Sequence, residues 1–375
     1  MSHSESTKVQ GLKKVLIMAG GTGGHVFPAL AVARALLDQG VRVEWLGTRQ
    51  GIEAKVVEAE QNIPVHYLSI EGIRGQGIKR LLMAPIKISG AIFQAIRICQ
   101  SFRPDVVLGM GGFVTGPGGV AARLCGIPLV IHEQNAVAGM TNKMLSFISN
   151  KVFEAFPDTF PRRAWVKEEM ILATGNPVRA DIGLESDPQQ KYRDRSGPIR
   201  ILVLGGSQGA VALNRLVPGA ISKIDPEHRP QIRHQVGSLN MLEAKNNYQE
   251  KNVHAEVVPF IDNMAEAYQW ADFTICRAGA LTLSELQQAG LPGILVPYPY
   301  AVDDHQTRNA EVLVQAGGAV LAQQADINEE QLKRLIVDMS CREKLTKMAV
   351  AAKESGISNA TDTVVKECLE YADAG

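Results

Sequence analysis

Short apolar, β-rich runs alternate along this chain with longer stretches whose apolar residues return at helical spacing, the pattern of a parallel α/β protein. The first unit shows it plainly. Val15–Met18 predicts a buried strand, Gly20–Gly24 a tight turn and Pro28–Asp38 a helix. Ala29, Val32, Ala33 and Leu36 then fall at i, i+3, i+4 and i+7, one face for packing on a sheet. Pro28 suits a first helical turn and Gly40 a helix stop. Further strands are predicted at Val41–Leu46, Val65–Ser69, Asp105–Leu108, Pro128–His132 and Lys151–Ala155.

The same opening returns at Ile199. A strand, Ile201–Leu204, runs into Gly205, Gly206 and Gly209 and then a helix. Candidate strands follow at Ile232–Val236, Ala255–Phe260, Phe273–Cys276, Gly293–Val296 and Ala319–Ala322. Two strand–glycine–helix openings about half a chain apart predict two Rossmann-like, doubly wound α/β domains facing each other across a cleft. The chain is expected to cross between them near Gly175–Arg179, ahead of the polar stretch Ser186–Pro198.

Composition narrows the function. The 375 residues are 45% hydrophobic and 21% charged, with 39 basic and 39 acidic side chains, so the formal net charge is zero. Nothing in that balance supports general nucleic-acid binding, which needs a basic footprint. The five cysteines (Cys99, Cys125, Cys276, Cys341, Cys368) form no metal spacing and read as reduced thiols. The polar N-terminus leads into an apolar run too short for a signal peptide or a membrane span, so any membrane contact is expected from the surface.

The chemistry-bearing residues collect at strand exits. Gly20-Gly21-Thr22-Gly23-Gly24-His25 can bring backbone N–H groups and a helix N-terminus to an anion, or be only a tight turn. His25 could take a proton, cap the helix or bind substrate. Gly109–Gly112 opens a second such loop, and His132-Glu133-Gln134-Asn135 ends the next strand, where polar side chains are expected in the cleft. In the second half, Gly205–Gly209 and the run Arg277–Glu285 offer further anion sites, the N–H groups of Ala280–Leu283 suiting a pyrophosphate. Glu285 could accept from a ribose diol or simply favour the helix dipole. Gln306 and Asn309 share one helical face. No Asp-x-Asp occurs, which favours helix dipoles and backbone donors over a metal; a cluster of Asp303, Asp304 and His305 is the weak alternative. Ile78 to Ile88, with Phe93 and Arg97 beyond, mixes bulky apolar and basic side chains, the composition of either a packed amphipathic helix or a segment resting on anionic lipid.

Together these motifs resemble the bacterial peptidoglycan glycosyltransferases that add N-acetylglucosamine to lipid-linked muramyl-pentapeptide. The resemblance covers nearly the whole chain: GGTGGHVFPALAVA, GIRGQGIK, PDVVLGMGGFVTGPGG, HEQNAVAGMTNK, GNPVR, GGSQGA, FIDNMAEAY, CRAGALTLSE and DDHQTRNA, in family order. It implies a GT-B fold, UDP-N-acetylglucosamine as donor, undecaprenyl-pyrophosphoryl-muramyl-pentapeptide as acceptor, and a β-1,4 link formed with inversion and no cofactor or metal. It implies donor contacts from Thr22, Gly23, Gly24, Asn135, Arg179, Ser207, Ile261, Ala280, Leu281, Thr282, Leu283, Ser284, Glu285 and Gln306. In it the backbone of Ile261 reads uracil, Glu285 holds the ribose, and Arg179 and Ser207 face the diphosphate. His25 and the first domain's glycine loops face the acceptor, with His25 the candidate base. It also implies an acceptor- and membrane-side domain over residues 1–178 and a donor domain over 179–357, with a final helix, 358–375, returning to the first. Ile78, Leu82 and Ile86 mark the expected membrane contact, at the cytoplasmic face of the cell membrane. His305 stands where some members carry glutamine, so its role stays open.

Rival readings explain less. A nicotinamide-dependent oxidoreductase lacks the third fingerprint glycine, since Val26 occupies that place, and leaves the second nucleotide-type unit unused. An epimerase or hydrolase on the same fold needs no basic-apolar stretch, and a non-catalytic scaffold needs no intact donor motif.

Overall fold

In the computed structural model, which describes residues 12–70, 78–160, 168–183, 187–206 and 209–373, the apolar runs assemble into two wholly parallel sheets. The first contains β1 (Lys14–Met18), β2 (Arg42–Gly47), β3 (Val65–Tyr67), β4 (Val106–Gly109), β5 (Leu129–Glu133), β6 (Lys151–Glu154) and β7 (Ile171–Ala173). Their spatial order is 3-2-1-4-5-6-7. The second contains β8 (Arg200–Leu204), β9 (Gln231–Gln235), β10 (Glu256–Val258), β11 (Phe273–Cys276), β12 (Gly293–Leu295) and β13 (Ala319–Leu321), in the order 10-9-8-11-12-13. Each order reverses beside its first strand, between β1 and β4 and between β8 and β11. Ligands of doubly wound sheets bind in the crevice at such points.

Helices cover both faces. In the first domain they are α1 (Gly23–Asp38), α2 (Glu53–Val56), α3 (Ile78–Phe102), α4 (Thr115–Leu124) and α5 (Met140–Leu145). In the second they are α6 (Pro188–Arg193), α7 (Val211–Ser222), α8 (Met241–Glu250), α9 (Met264–Trp270), α10 (Ala280–Ala289), α11 (His305–Gln315), α12 (Glu329–Met339) and α13 (Arg342–Glu354). The last, α14 (Ala360–Asp373), leaves the second sheet and buries Val364, Val365 and Cys368 in the same core as Val15, Ile17 and Leu36. Burial of each of those two valines contributes on the order of 2 kcal/mol. Lys13 Nζ donates to Asp373 at 2.7 Å, and the Tyr371 hydroxyl to the Asn150 carbonyl at 3.3 Å, so the C-terminal end of α14 is tied to the first domain.

Two elements differ from the sequence expectation. α1 begins at Gly23, not Pro28, because Thr22 takes the extended N-cap conformation (φ −105°, ψ 161°). The Thr22 carbonyl then accepts from the amides of His25 and Val26 at 3.1 and 3.2 Å. Gly23, Gly24 and His25 are thus the first helical turn, and Pro28 lies a turn deeper, where its missing N–H leaves the Gly24 carbonyl without a helical partner. Gly40 does stop the helix: at φ +76° its amide bonds the Leu37 carbonyl, and Val41 closes back on Leu36. The second difference is β7, a three-residue edge strand too short to give an alternating signal.

Candidate functional site

Three strand exits of the first sheet form one rim. The amide of Gly20 donates to the Gly111 carbonyl at 3.3 Å, and Met110 donates to Met18 at 2.7 Å, so the loops after β1 and β4 lie backbone to backbone. No side chain fits between them. Gly112 has φ +87°, and a Cβ there would stand 2.3 Å from the Gly20 carbonyl oxygen. Gly111 has φ +103°, and a Cβ there would stand 2.5 Å from His25 Nδ1. The imidazole of His25, at the third position of α1, is therefore seated directly on the Gly111 backbone.

Under this rim lies a carboxylate that the sequence reading passed over. Glu53, wholly buried, accepts from the Gly21 amide at 3.0 Å and from the Thr48 amide and hydroxyl, both at 2.8 Å. Gly20, Gly47 and Gly51 surround it, each so close that a Cβ would overlap the carboxylate or its stem. The glycines just ahead of this acidic residue, Gly47 and Gly51, were the available signal. The brace leaves the amides of Gly23 and Gly24, at the positive end of α1, without an acceptor among the described residues.

The HEQN segment departs from its expectation. His132, Glu133 and Gln134 are buried instead of lining open cleft. Glu133 takes the amides of Asn135 and Gly139, each at 3.0 Å, and the side chains of Asn135 and Asn142 at 3.1 and 2.8 Å. Its work is to fold the loop after β5. Gln134 contacts His25 Nδ1 at 2.7 Å and His132 Nδ1 at 3.0 Å, and His132 Nε2 lies 2.9 Å from the Gly175 carbonyl.

The second rim comprises the exits of β8, β11 and β12. Gly279 caps α10, and its carbonyl accepts the first helical bond from Leu283 at 3.0 Å. The amides of Ala280, Leu281 and Thr282 are left without acceptors among the described residues, a cradle for an anion. Leu283 does not belong to it, since its amide is used in the helix and its side chain is core. Ser284 is likewise engaged: its hydroxyl bonds the Ala280 carbonyl at 3.1 Å and accepts from Asn176 at 3.0 Å. Glu285 accepts from the Tyr268 hydroxyl at 2.8 Å and stands 3.5 Å from Arg179. Burial pushes its carboxyl above the usual range, while Tyr268 and Arg179 pull the other way. Ile261 offers both its N–H and its carbonyl unbonded among the described residues. Gln306 accepts the Tyr298 amide at 2.9 Å and keeps its amide N–H groups without a described partner. Ser207 lies outside the described residues.

Neutral amides join the two rims. Asn309 of α11, fully buried, accepts from the Ala136 amide at 2.8 Å and donates to Asn135 Oδ1 and the Ala278 carbonyl, both at 3.3 Å. Asn135 thus accepts at Oδ1 from Asn309 while its Nδ2 donates to Glu133. Asn176, in the crossing, donates to the Gln134 carbonyl and to Ser284, each at 3.0 Å. Among the described residues no three His, Cys, Asp or Glu side chains converge as a metal site would require, Asp303, Asp304 and His305 included.

On the outer face of the first domain, Met83, Ile86 and Phe93 of α3 are exposed, as are Met140, Met144 and Phe147 at α5. The side chains of Ile78 and Leu82 lie outside the described residues. No described helix is long and apolar enough to cross a membrane.

Two Rossmann-like domains with helix N-termini and glycine loops along opposed rims have the GT-B architecture. Residues 15–154 match the glycosyltransferase family 28 N-terminal domain and residues 200–364 its C-terminal domain. The chain belongs to glycosyltransferase family 28. A relative from Azotobacter vinelandii, 51% identical over 96% of this chain and 98% of its own, carries the name UDP-N-acetylglucosamine–N-acetylmuramyl-(pentapeptide) pyrophosphoryl-undecaprenol N-acetylglucosamine transferase. One of the same name from Marinobacter nauticus is 48% identical over the same shares. The crystal structure of MurG from Acinetobacter baumannii superposes with a TM-score of 0.82 at 44% identity, covering 96% of this chain and 99% of that one.

The Glu53 brace is open to test. Glu53→Ala strands the Gly21 and Thr48 donors in a buried place and is expected to cost about 3 kcal/mol of unfolding free energy. Denaturant melts measure this, and a loss under about 0.5 kcal/mol, the range of an ordinary surface substitution, would contradict the brace.

Proposed function

We propose that this chain transfers N-acetylglucosamine from UDP-N-acetylglucosamine to the 4-hydroxyl of an undecaprenyl-pyrophosphoryl-N-acetylmuramyl-pentapeptide, inverting the anomeric carbon. The observation that carries the reading is the match, over nearly the full length of both chains, to relatives whose name states this donor and acceptor. The geometry supports it from the residues upward. The open amides of Ala280, Leu281 and Thr282 suit the diphosphate, toward which the family resemblance also directs Arg179 and Ser207. The peptide group of Ile261 suits the edge of uracil, Glu285 the ribose hydroxyls and the spare Gln306 amide the sugar. Across the cleft, Thr22, Gly23 and Gly24 present the positive end of α1, and Asn135 holds the loop beside them.

In the step itself the acceptor oxygen forms the new bond to the anomeric carbon as the bond from that carbon to the β-phosphate oxygen breaks. The bonding pair leaves with UDP, and the hydroxyl proton passes to His25. Charge grows on the diphosphate as the bond lengthens, so fixed N–H donors at α10 act most strongly in the transition state; losing one such donor typically costs roughly 3 kcal/mol. A base at His25 contributes on the order of 10² to 10⁴ in rate.

The lipid acceptor places the enzyme at the cytoplasmic membrane surface. Met83, Ile86 and Phe93, beside the exposed Lys87 and with Arg97 stacked on Phe93 at 5.0 Å, would meet it peripherally, together with Ile78 and Leu82. In the same reading residues 1–178 and 358–375 serve the acceptor and residues 179–357 the donor.

Purified protein given radiolabelled donor, with and without a short-chain lipid acceptor, is expected to label the lipid and release UDP only when the acceptor is present. UDP or an isomerised sugar formed equally without acceptor would overturn the transferase reading. Two variants should split the kinetics. His25→Ala lowers kcat at least about a hundredfold and leaves UDP affinity nearly intact. Glu285→Ala raises the donor KM about tenfold or more through the lost ribose contact. An unchanged kcat in the first, or an unchanged donor KM in the second, removes that residue from its role.

A further inference from the structure

A line of hydrogen bonds beginning at the crossing between the domains fixes where the proton sits on His25. The carbonyl of Gly175, 2.9 Å from His132 Nε2, can only accept, so Nε2 carries a proton. His132 is wholly buried, and burial pushes its imidazole down to about 4, so the ring is neutral near pH 7. Its Nδ1 is then a lone pair. The Gln134 amide lies between the two imidazoles. One of its terminal atoms stands 3.0 Å from that lone pair and 3.3 Å from the His132 carbonyl, two acceptors, and must be the NH₂ group. The other, 2.7 Å from His25 Nδ1, must be the oxygen. An oxygen there accepts, so His25 Nδ1 donates and a neutral ring keeps its lone pair on Nε2.

That Nε2 has no partner among the described residues, and the ring is half-buried on the cleft rim. The arrangement also survives proton uptake, since an imidazolium still donates from Nδ1 to the same oxygen while Nε2 bears the new proton. No rearrangement of the buried network is required during the reaction.

We propose that Gln134 and His132 are positioning residues that hold His25 in the Nδ1–H tautomer, so that Nε2 presents a lone pair to the acceptor hydroxyl. The consequence for catalysis rests on His25 being the base; the tautomer itself does not. It also ties the tautomer of the base to the Gly175 carbonyl, in the segment joining the two domains.

Ring ¹⁵N spectra of the full chain at mildly alkaline pH, with the His25 signals assigned by their loss in His25→Ala, test this directly. The expected result is a protonated, pyrrole-type Nδ1 and an unprotonated, pyridine-type Nε2. An unconstrained imidazole in water favours the opposite tautomer, so the pattern discriminates. A proton on Nε2 in the unmodified chain would overturn the proposal, with no variant needed. Gln134→Met keeps side-chain length but removes the amide. It is expected to return His25 toward the mixed tautomer and to lower kcat about ten- to a hundredfold with UDP affinity and donor KM unchanged. In a His25→Ala background the same change should cost nothing further, because both act through one group. An unshifted tautomer, an unchanged kcat or a fully additive double variant would each overturn the positioning role. A protein that transfers no sugar at all would sink the proposed function, while the ring spectra would still decide the tautomer.

Discussion

The site depends on one close approach: the backbone at Gly20 against the backbone at Gly112. At the 2.3 Å that a Cβ on Gly112 would leave, no rotamer change relieves the overlap, because the neighbour is main chain. The loop after β4 must therefore be glycine where it meets Gly20, while a Cβ on Gly20 itself would stand 2.7 Å from the Glu53 carboxylate. Once the two loops meet, Gly111 lies beneath His25, Gly21 faces the Glu53 carboxylate, and the first turn of α1 is free to begin at Gly23. The glycines serve less as flexible hinges than as the space into which an imidazole and a buried carboxylate are fitted.

The two rims divide the work by chemistry. The second domain offers mainly unbonded backbone donors, at α10 and Ile261, which cannot change charge and need no reorganisation as a leaving group develops. The first domain offers a titratable ring whose second nitrogen is held from behind. Between them the joint combines hydrogen bonds among Asn135, Asn176, Asn309 and Ser284 with an apolar contact of Ala155 and Phe156 on Ala280, neutral groups throughout. Such hydrogen bonds contribute about 1 kcal/mol each, and breaking one leaves no buried charge behind. The joint is thus weak beside the apolar cores on either side, as between-domain contacts generally are.

The architecture was legible in the residues because parallel strands buried on both faces read as compact apolar runs, and both glycine openings follow such runs. What escaped was local. Gly23 and Gly24 read as turn residues, yet an extended Thr22 makes them the first helical turn, since nothing in composition separates a glycine at a helix start from one before it. Leu283 and Ser284 share a motif with the open amides of α10, but one helical hydrogen bond and one partner from a distant segment withdraw them. Polar side chains at the end of β5 suggested an exposed surface; Glu133 and Gln134 are instead satisfied by partners up to about a hundred positions away, which spacing cannot reveal. Glu53, in a one-turn helix, carried no periodic signal at all.

The central claim is that the close approach at Gly111 and Gly112 serves the base. Gly111→Ala places a methyl 2.5 Å from His25 Nδ1, at a backbone angle that disfavours any side chain. Calorimetric titration with UDP, run beside steady-state transfer on the same folded variant, separates the two functions. The account predicts a UDP dissociation constant within about twofold of the parent chain, and a kcat reduced toward the hundredfold or greater loss expected for a missing base. Unimpaired transfer, or UDP affinity lost in step with kcat, would contradict it.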